Sequence, residues 1–474
     1  MSLQSGRGVT RNAAALFVGR AFVMALSLVF VLFAARRLGL TEFGRYALAR
    51  TYFDLLLTLA VTGLGILITR EIAKNPSMGP VYFGTAAPLG VGLAVVIGTA
   101  LVLVSPLMGY GSDVRTMLSL MCLALVPAAF ATLSEAVFVA TGNAQYVMVG
   151  SFCETLLYSS TGVLLVWLGR GGRSLFVALA ATRTVLAIAY ATRLWRRFGV
   201  VPRPGSYAFT RRLCGDWRVF ALENWLANLT ANTGAIVLSV FHGEAAVGLY
   251  AAASKITSFG SPLVASFTSA MFPYMSRLHS ESNLAFRRLG EESVKHMLAV
   301  ALPGTVIVAI FADRVIRLLY GDAYIDAVPV LRIVIWVFVF NLLNPFVSHL
   351  LFARGEQTTS LKVGAISAVV SLALSLALIP TWGPIGAASA LLASTALACC
   401  LFCASAFRPR PSRMLMMIGR VGLAAASLAG FLAIARQAHP AALTIGALGV
   451  YGGALFLLRA SSVREFSAFV RGLQ

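Results

Sequence analysis

The charged residues that stand inside apolar stretches of this sequence include the bases Arg20, Arg50, Arg183, Lys255 and Arg332, and the acids Asp54, Glu135, Glu154 and Glu223. In hydrocarbon each such charge costs about 2.5–3.5 kcal/mol or more, so it must face a cavity, reach the surface or find a partner. A cation held in a cavity binds anions, and the flat guanidinium fork matches two phosphate oxygens. Arg20, Arg50 and Lys255 are the candidates for that role, each lying early in its apolar stretch. Asp54 follows Arg50 by four residues, which puts both on one helical face as a self-neutralising pair. Arg183 and Arg332 fall nearer stretch ends and are expected at the membrane interface.

A second pattern offers oxygen ligands. Glu223 is followed by Asn224, Asn228 and Asn232, a stripe repeating every four residues. With Asp54 these residues are candidates for binding a coupling ion, either Na⁺ through oxygen ligands or H⁺ on a desolvated carboxylate. Plain hydrogen bonding between helices is the competing account of the stripe. Asn341, Asn344, Pro345 and His349 make a later stretch polar and bent in the same manner. The cations favour an anionic, phosphorylated cargo, whereas a cationic-drug antiporter would favour acids. No phosphate-cradling loop, zinc motif or Ser, His and acid constellation is present, so no enzyme activity, catalytic residue or metal centre is expected. The six cysteines, Cys400 and Cys403 included, read as small apolar residues. Beyond Na⁺ or H⁺ no cofactor is called for.

The elements that carry these residues are long apolar helices. Of 474 residues, 59% are hydrophobic and only 12% charged, with a mean hydropathy of +0.85. That composition excludes a water-wrapped globular enzyme. Apolar segments near 12–34, 44–68, 81–105, 117–140, 146–168 and 174–192 precede a basic loop at 193–218. A second series near 219–241, 246–273, 295–312, 328–352, 361–380 and 384–406 is followed by a pair near 415–434 and 441–458. About fourteen transmembrane helices result. Most of the 38 Lys and Arg fall in alternate loops, which sets both termini in the cytoplasm of a multi-pass protein of the cell (inner) membrane. The net charge of +21 is therefore topological, meets anionic lipid, and does not point to nucleic acid.

The chain also repeats itself. G-R-Y-A-L-A at 44–49 returns as G-L-Y-A-A-A at 248–253, and Ala140-Thr141-Gly142 is echoed by Ala353-Arg354-Gly355. A six-helix unit is thus duplicated. Because the unit is even-numbered, its copies share one orientation and are related by an axis along the membrane normal, as in alternating-access transporters. The expected organisation is an N-terminal six-helix bundle at 1–205, a C-terminal six-helix bundle at 206–409, and two extra helices with a cytoplasmic tail at 410–474.

Several motifs carry a family resemblance across essentially the whole length. A-R-R-L-G-L-T-E-F-G-R-Y at 35–46, T-R-E-I-A-K at 69–74, G-L-Y-A-A-A-S-K at 248–255, L-Y-G-D-A-Y at 319–324, V-L-R-I-V at 330–334 and G-P-I-G-A-A-S-A at 383–390 resemble bacterial polysaccharide-biosynthesis flippases. These belong to the multidrug, oligosaccharidyl-lipid and polysaccharide exporter superfamily. The resemblance implies two bundles around a central cavity, and a polyprenyl-pyrophosphate-linked glycan carried to the outer leaflet for cell-surface polysaccharide assembly. It also implies cavity cations on the first, second and eighth helices, which here are Arg20, Arg50 and Lys255; a lysine at the third gives a point charge without a fork. Glycosyltransferases and a polymerase of the same pathway are the implied partners. A cation-coupled multidrug antiporter, a lipid II flippase and a scaffold for glycosyltransferases are the alternative functions.

Overall fold

A computed structural model describes residues 22–198, 205–258, 271, 275–407, 411–435 and 440–457, although some side chains inside the helices, that of Glu223 among them, lie outside the description. All regular structure among the described residues is helical. Helix α1 is seen over 22–38, followed by α2 (Leu40–Lys74), α3 (Gly79–Val104), α4 (Ser112–Ala140), α5 (Ala144–Trp167) and α6 (Gly171–Phe198). Next come α7 (Tyr207–Ser258), broken at Gly243, then α8 (Asn283–Ile310), the short α9 (Ala312–Tyr320) and α10 (Val328–Val334), and α11 (Val337–Ala353). Helix α12 (Gln357–Ala406) is broken at Gly383, and α13 (Pro411–Ile434) and α14 (Pro440–Leu457) close the series. With both arms of α7 and α12 counted and α10 joined to α11, the passages number about fourteen, as the hydropathy requires. Among the described residues, nine helices are individually long and apolar enough to cross a membrane. The chain is a multi-pass, all-α membrane protein.

The turns carry the internal repeat into the backbone. Among the described residues, glycines with positive φ occur at Gly39, Gly109, Gly142 and Gly169, and again at Gly243, Gly321, Gly355 and Gly383. Each of the second set stands at the turn equivalent to one of the first. Gly39 (φ 78) lies five residues before Gly44, and Gly243 (φ 72) five before Gly248. A left-handed residue is what lets a helix end and reverse without a Cβ clash, which explains why the motif-bearing helices restart there.

Two compact units form: Met1–Ala251 with Ile379–Pro384, and Ala252–Leu378 with Ile385–Gln474. In the first, α4 is the central helix and buries Leu118, Met121, Leu125, Ala128 and Leu133. Small residues set its distance from α3, since a methyl at Gly90 would lie 2.8 Å from the Leu133 side chain, and the Cys122 thiol donates to the Gly98 carbonyl at 3.4 Å. In the second, Phe286, Phe346, Val347, Phe402 and Phe407 make the core. There α13 and α14 dock on α8 through Val306, Leu428 and Tyr451, whose hydroxyl donates to the Ala299 carbonyl at 2.9 Å. Replacing Tyr451 by phenylalanine should keep the packing and lose about 1 kcal/mol, read as a lower melting midpoint in detergent.

Candidate functional site

Arg50 and Asp54 form the ion pair that their spacing predicts. The Arg50 Nε lies 3.1 and 3.2 Å from the two carboxylate oxygens, so one edge of the guanidinium is fixed. Its plane lies over the Phe53 ring, with Cζ 5.2 Å from the centroid. Among the described residues no hydrogen bond engages Nη1 or Nη2, and the side chain keeps 33% of its surface exposed, with Asp54 at 50%. The guanidinium is thus anchored through Nε and open at its fork. Nearby, the Tyr46 and Tyr158 hydroxyls share a hydrogen bond of 3.0 Å within electrostatic reach of Arg50. That tyrosine pair, joining α2 to α5, has no signature in the sequence because its members are 112 positions apart. One turn beyond Asp54, α2 loosens into a π-helical segment at Thr58–Thr62, and Thr58 donates to the Asp54 carbonyl at 2.8 Å. Such segments are frequent at functional sites because they swing the following side chains. Here the segment delivers Gly63, where a methyl would lie 2.5 Å from the Trp217 indole nitrogen of α7.

The other candidates are placed less completely. Arg20 lies outside the described residues, as does the Glu223 side chain. Lys255 is exposed and belongs to the second unit. In the asparagine stripe, the Asn228 amide donates to the Asn224 carbonyl at 3.0 Å and the Asn232 amide to the Asn228 carbonyl at 2.9 Å. Thr230 and Thr233 donate likewise to Leu226 and Leu229, at 2.9 and 2.6 Å. Each of these bonds closes back onto its own helix. Asn232→Ala should change stability by about 0.6 kcal/mol or less, measured by thermal unfolding in detergent. On α11, Pro345 frees its turn, the His349 ring contacts the Pro345 carbonyl at 2.7 Å, and Asn344 donates to the Thr395 carbonyl at 3.2 Å.

At the end of the first unit where α2, α4 and α6 begin, charges tie helix starts together. Glu42 accepts a 2.7 Å hydrogen bond from the Gly172 amide, satisfying a free N–H in the first turn of α6. Asp113, in the first turn of α4, accepts from Arg45 at 2.6 Å and from Arg173, and Arg45 also approaches Glu244 at 3.8 Å. Beneath them a buried chain runs from Tyr52 to Tyr110 at 2.9 Å and on to Ser239 at 2.8 Å. Gly44 and Gly248, the equivalent glycines of the repeated motif, meet here. A methyl on Gly248 would lie 2.5 Å from the Leu40 carbonyl oxygen and 3.3 Å from the Gly44 Cα. One on Gly44 would overlap the Glu244 carbonyl oxygen.

Arg183 is not interfacial. It stands mid-way along α6, its Nε 2.8 Å from the Glu154 carboxylate on α5, and both side chains are only 14% exposed. The Tyr190 hydroxyl donates to Glu135 at 3.4 Å, and its ring occupies the space that a methyl on Gly150 would need. Arg183 and Glu154 are also within electrostatic reach of Glu135. Sequence reasoning missed this cluster because its members sit on three helices. The available signal was that Glu154 is the one charged residue between 144 and 167.

A family model described as polysaccharide biosynthesis protein matches residues 9–279, more than half of the chain. The chain belongs to the polysaccharide biosynthesis protein family. That match spans Arg20, Arg50, Asp54, the asparagine stripe and Lys255. A second model, described as lipid II flippase MurJ, matches residues 220–447. Among curated relatives, the probable flippase AglR of Haloferax volcanii is 26% identical, covering 84% of this chain and 80% of its own. The probable low-salt glycan biosynthesis flippase Agl15 of Haloferax volcanii is 21% identical over 82% and 81%. Among solved structures, the inward closed conformation of the lipid II flippase MurJ aligns with a TM-score of 0.77 at 11% identity, covering 94% of this chain and 98% of that one. An inward-facing multidrug resistance MATE transporter of the MOP superfamily gives 0.68 at 17% identity over 82% and 94%. The family member described here thus has the fold of this transporter superfamily.

Proposed function

We propose that this polysaccharide biosynthesis protein is a flippase that moves a polyprenyl-pyrophosphate-linked oligosaccharide from the cytoplasmic to the outer leaflet by alternating access. No covalent bond of the cargo changes. The observation that carries the reading is the anchored, open guanidinium of Arg50, held through Nε by Asp54 and presenting Nη1 and Nη2. Two parallel N–H donors suit a pyrophosphate oxygen pair, and burial in a membrane strengthens the attraction. Arg20 and Lys255 supply the remaining positive charge in this scheme, and the polyprenyl tail stays in lipid. The names of the Haloferax volcanii relatives support a glycan-lipid cargo.

The same reading places the protein in the cell (inner) membrane with both termini cytoplasmic, beside the glycosyltransferases and polymerase that make and consume the cargo. Na⁺ or H⁺ drives it, with Asp54, Glu223, Asn224, Asn228 and Asn232 as ion-coupling candidates. The test is reconstitution. Proteoliposomes with a fluorescent polyprenyl-pyrophosphate sugar in the inner leaflet should expose it to a membrane-impermeant quencher in a protein-dependent manner. Equal exposure of a polyprenyl alcohol lacking the pyrophosphate would sink the proposal, since nothing would then depend on the anion.

A further inference from the structure

Arg50 shares one face of α2 with two other polar side chains. Tyr46 stands one turn before it and Asp54 one turn after, each four residues away, so the three line up over about 12 Å of helix. The Tyr46 hydroxyl meets that of Tyr158, on α5, at 3.0 Å. Both rings are pinned. Tyr46 is 5% exposed, with the Phe176 ring of α6 centred 5.5 Å away, and Phe30 of α1 meets Tyr158 edge to face at 5.1 Å. Phe30 in turn rests on Gly162, one turn after Tyr158, where a methyl would lie 2.5 Å from the Phe30 ring.

The pair offers one proton more than it uses. Two phenols carry two O–H protons, and the bond between them takes one. Among the described residues no acceptor engages the other. Tyr158 is the more exposed of the two, so buried Tyr46 donates to Tyr158, and Tyr158 presents its own proton outward. A hydroxyl that already accepts a hydrogen bond is the stronger donor for it. One turn along α2, Arg50 keeps Nη1 and Nη2 open, while the Asp54 carboxylate is engaged by Nε. This face therefore offers donors to a ligand. We propose that Tyr158, oriented by Tyr46, is the donor to the second phosphate of a diphosphate whose first phosphate sits on Arg50, so that the site selects pyrophosphate-linked over monophosphate-linked carriers. Tyr46 and Arg50 stand about 6 Å apart along α2, an interval that two phosphates in tandem cross and a single phosphate gripped by the guanidinium does not. Arg50 supplies charge to either carrier, and Tyr158 adds a contact to the diphosphate alone. The inference rests on the flippase reading above and names the group of the cargo that this face distinguishes.

The test uses the full-length protein in detergent, with farnesyl pyrophosphate and farnesyl monophosphate as short carriers and isothermal titration calorimetry as the readout. Wild type should bind the diphosphate about tenfold more tightly or better. Tyr158→Phe keeps the ring and its contact with Phe30, and should lower diphosphate affinity about tenfold while leaving monophosphate affinity within a factor of about two. Arg50→Lys should weaken both carriers. Tyr46→Phe leaves the outward proton in place and loses only its orientation, so diphosphate affinity should fall about threefold or less. The two phenylalanine variants break the same hydrogen bond and should lower the melting midpoint equally. A bond that merely joined α2 to α5 would lower their affinities equally as well, and that result overturns the assignment. So does an unchanged ratio of diphosphate to monophosphate affinity in Tyr158→Phe, or a wild type without preference for the diphosphate. The flippase reading fails separately, on the quencher assay: an unchanged ratio beside pyrophosphate-dependent exposure removes Tyr158 from the site and leaves that reading standing.

Discussion

Arg50→Glu is expected to lower translocation of a labelled polyprenyl-pyrophosphate sugar by two orders of magnitude or more at equal reconstituted protein. Two effects act together. The substitution removes the fork that would grip the pyrophosphate, and it leaves a second carboxylate one helical turn from Asp54, where like charges repel. A factor of one hundred corresponds to about 2.8 kcal/mol, within the range for removing a charged hydrogen-bonding partner from a site of reduced dielectric. Arg50→Lys separates the two contributions: it keeps the point charge and the Asp54 pair but loses the fork, so a partial loss of about tenfold is expected. If the lysine variant were as defective as the glutamate variant with both proteins monodisperse, geometry alone would be decisive. If Arg50→Glu retained wild-type flux, the anion site is elsewhere.

The largest structural effect is expected at Gly44. A Cβ there overlaps backbone, the Glu244 carbonyl oxygen, and comes within 3.0 Å of the Gly248 amide nitrogen, so no rotamer change relieves it. The start of α2 and the arm of α7 beyond Gly243 would have to part, disturbing the Arg45 to Asp113 bond and the Tyr52, Tyr110 and Ser239 chain beneath. Gly44→Val should therefore cost about 3 kcal/mol or more, at the upper end of overpacking changes, and abolish a monodisperse peak after mild heating. Gly92→Ala is the matched control. It lies in α3 with nothing within 4 Å of an added Cβ, so it should leave the melting midpoint unchanged or slightly raised. A Gly44→Val protein as stable as wild type would show that this helix contact is dispensable.

The two glycines also show how the repeat was legible and what was not. G-R-Y-A-L-A and G-L-Y-A-A-A are recognisable as copies because backbone-level requirements leave traces in residue type: only a residue without a side chain tolerates such an approach or a positive φ. The same holds for the Arg50 and Asp54 pair, which is local to one helix and follows from a spacing of four. Arg183 was misjudged for the opposite reason. Its nearness to a stretch end suggested the membrane interface, but its partner Glu154 is 29 positions earlier on another helix, and nothing in either segment announces the pairing. The asparagine stripe is a middle case, since its periodicity was plain while the direction of its amides, back onto its own carbonyls, required coordinates.

By itself, the sequence determined the solvent, the number of passages and the duplication. Each of those is set by composition and period along one chain, because a membrane allows helices and little else. Which charges meet was decided only by tertiary structure: Arg45 with Asp113, Arg183 with Glu154, and Tyr46 with Tyr158. In hydrocarbon a charge must be matched within a few ångströms, and matching partners come from whichever helices packing brings side by side. The chemistry of this protein was therefore present as an inventory in its residues and became pairs and one open fork only in the folded bundle.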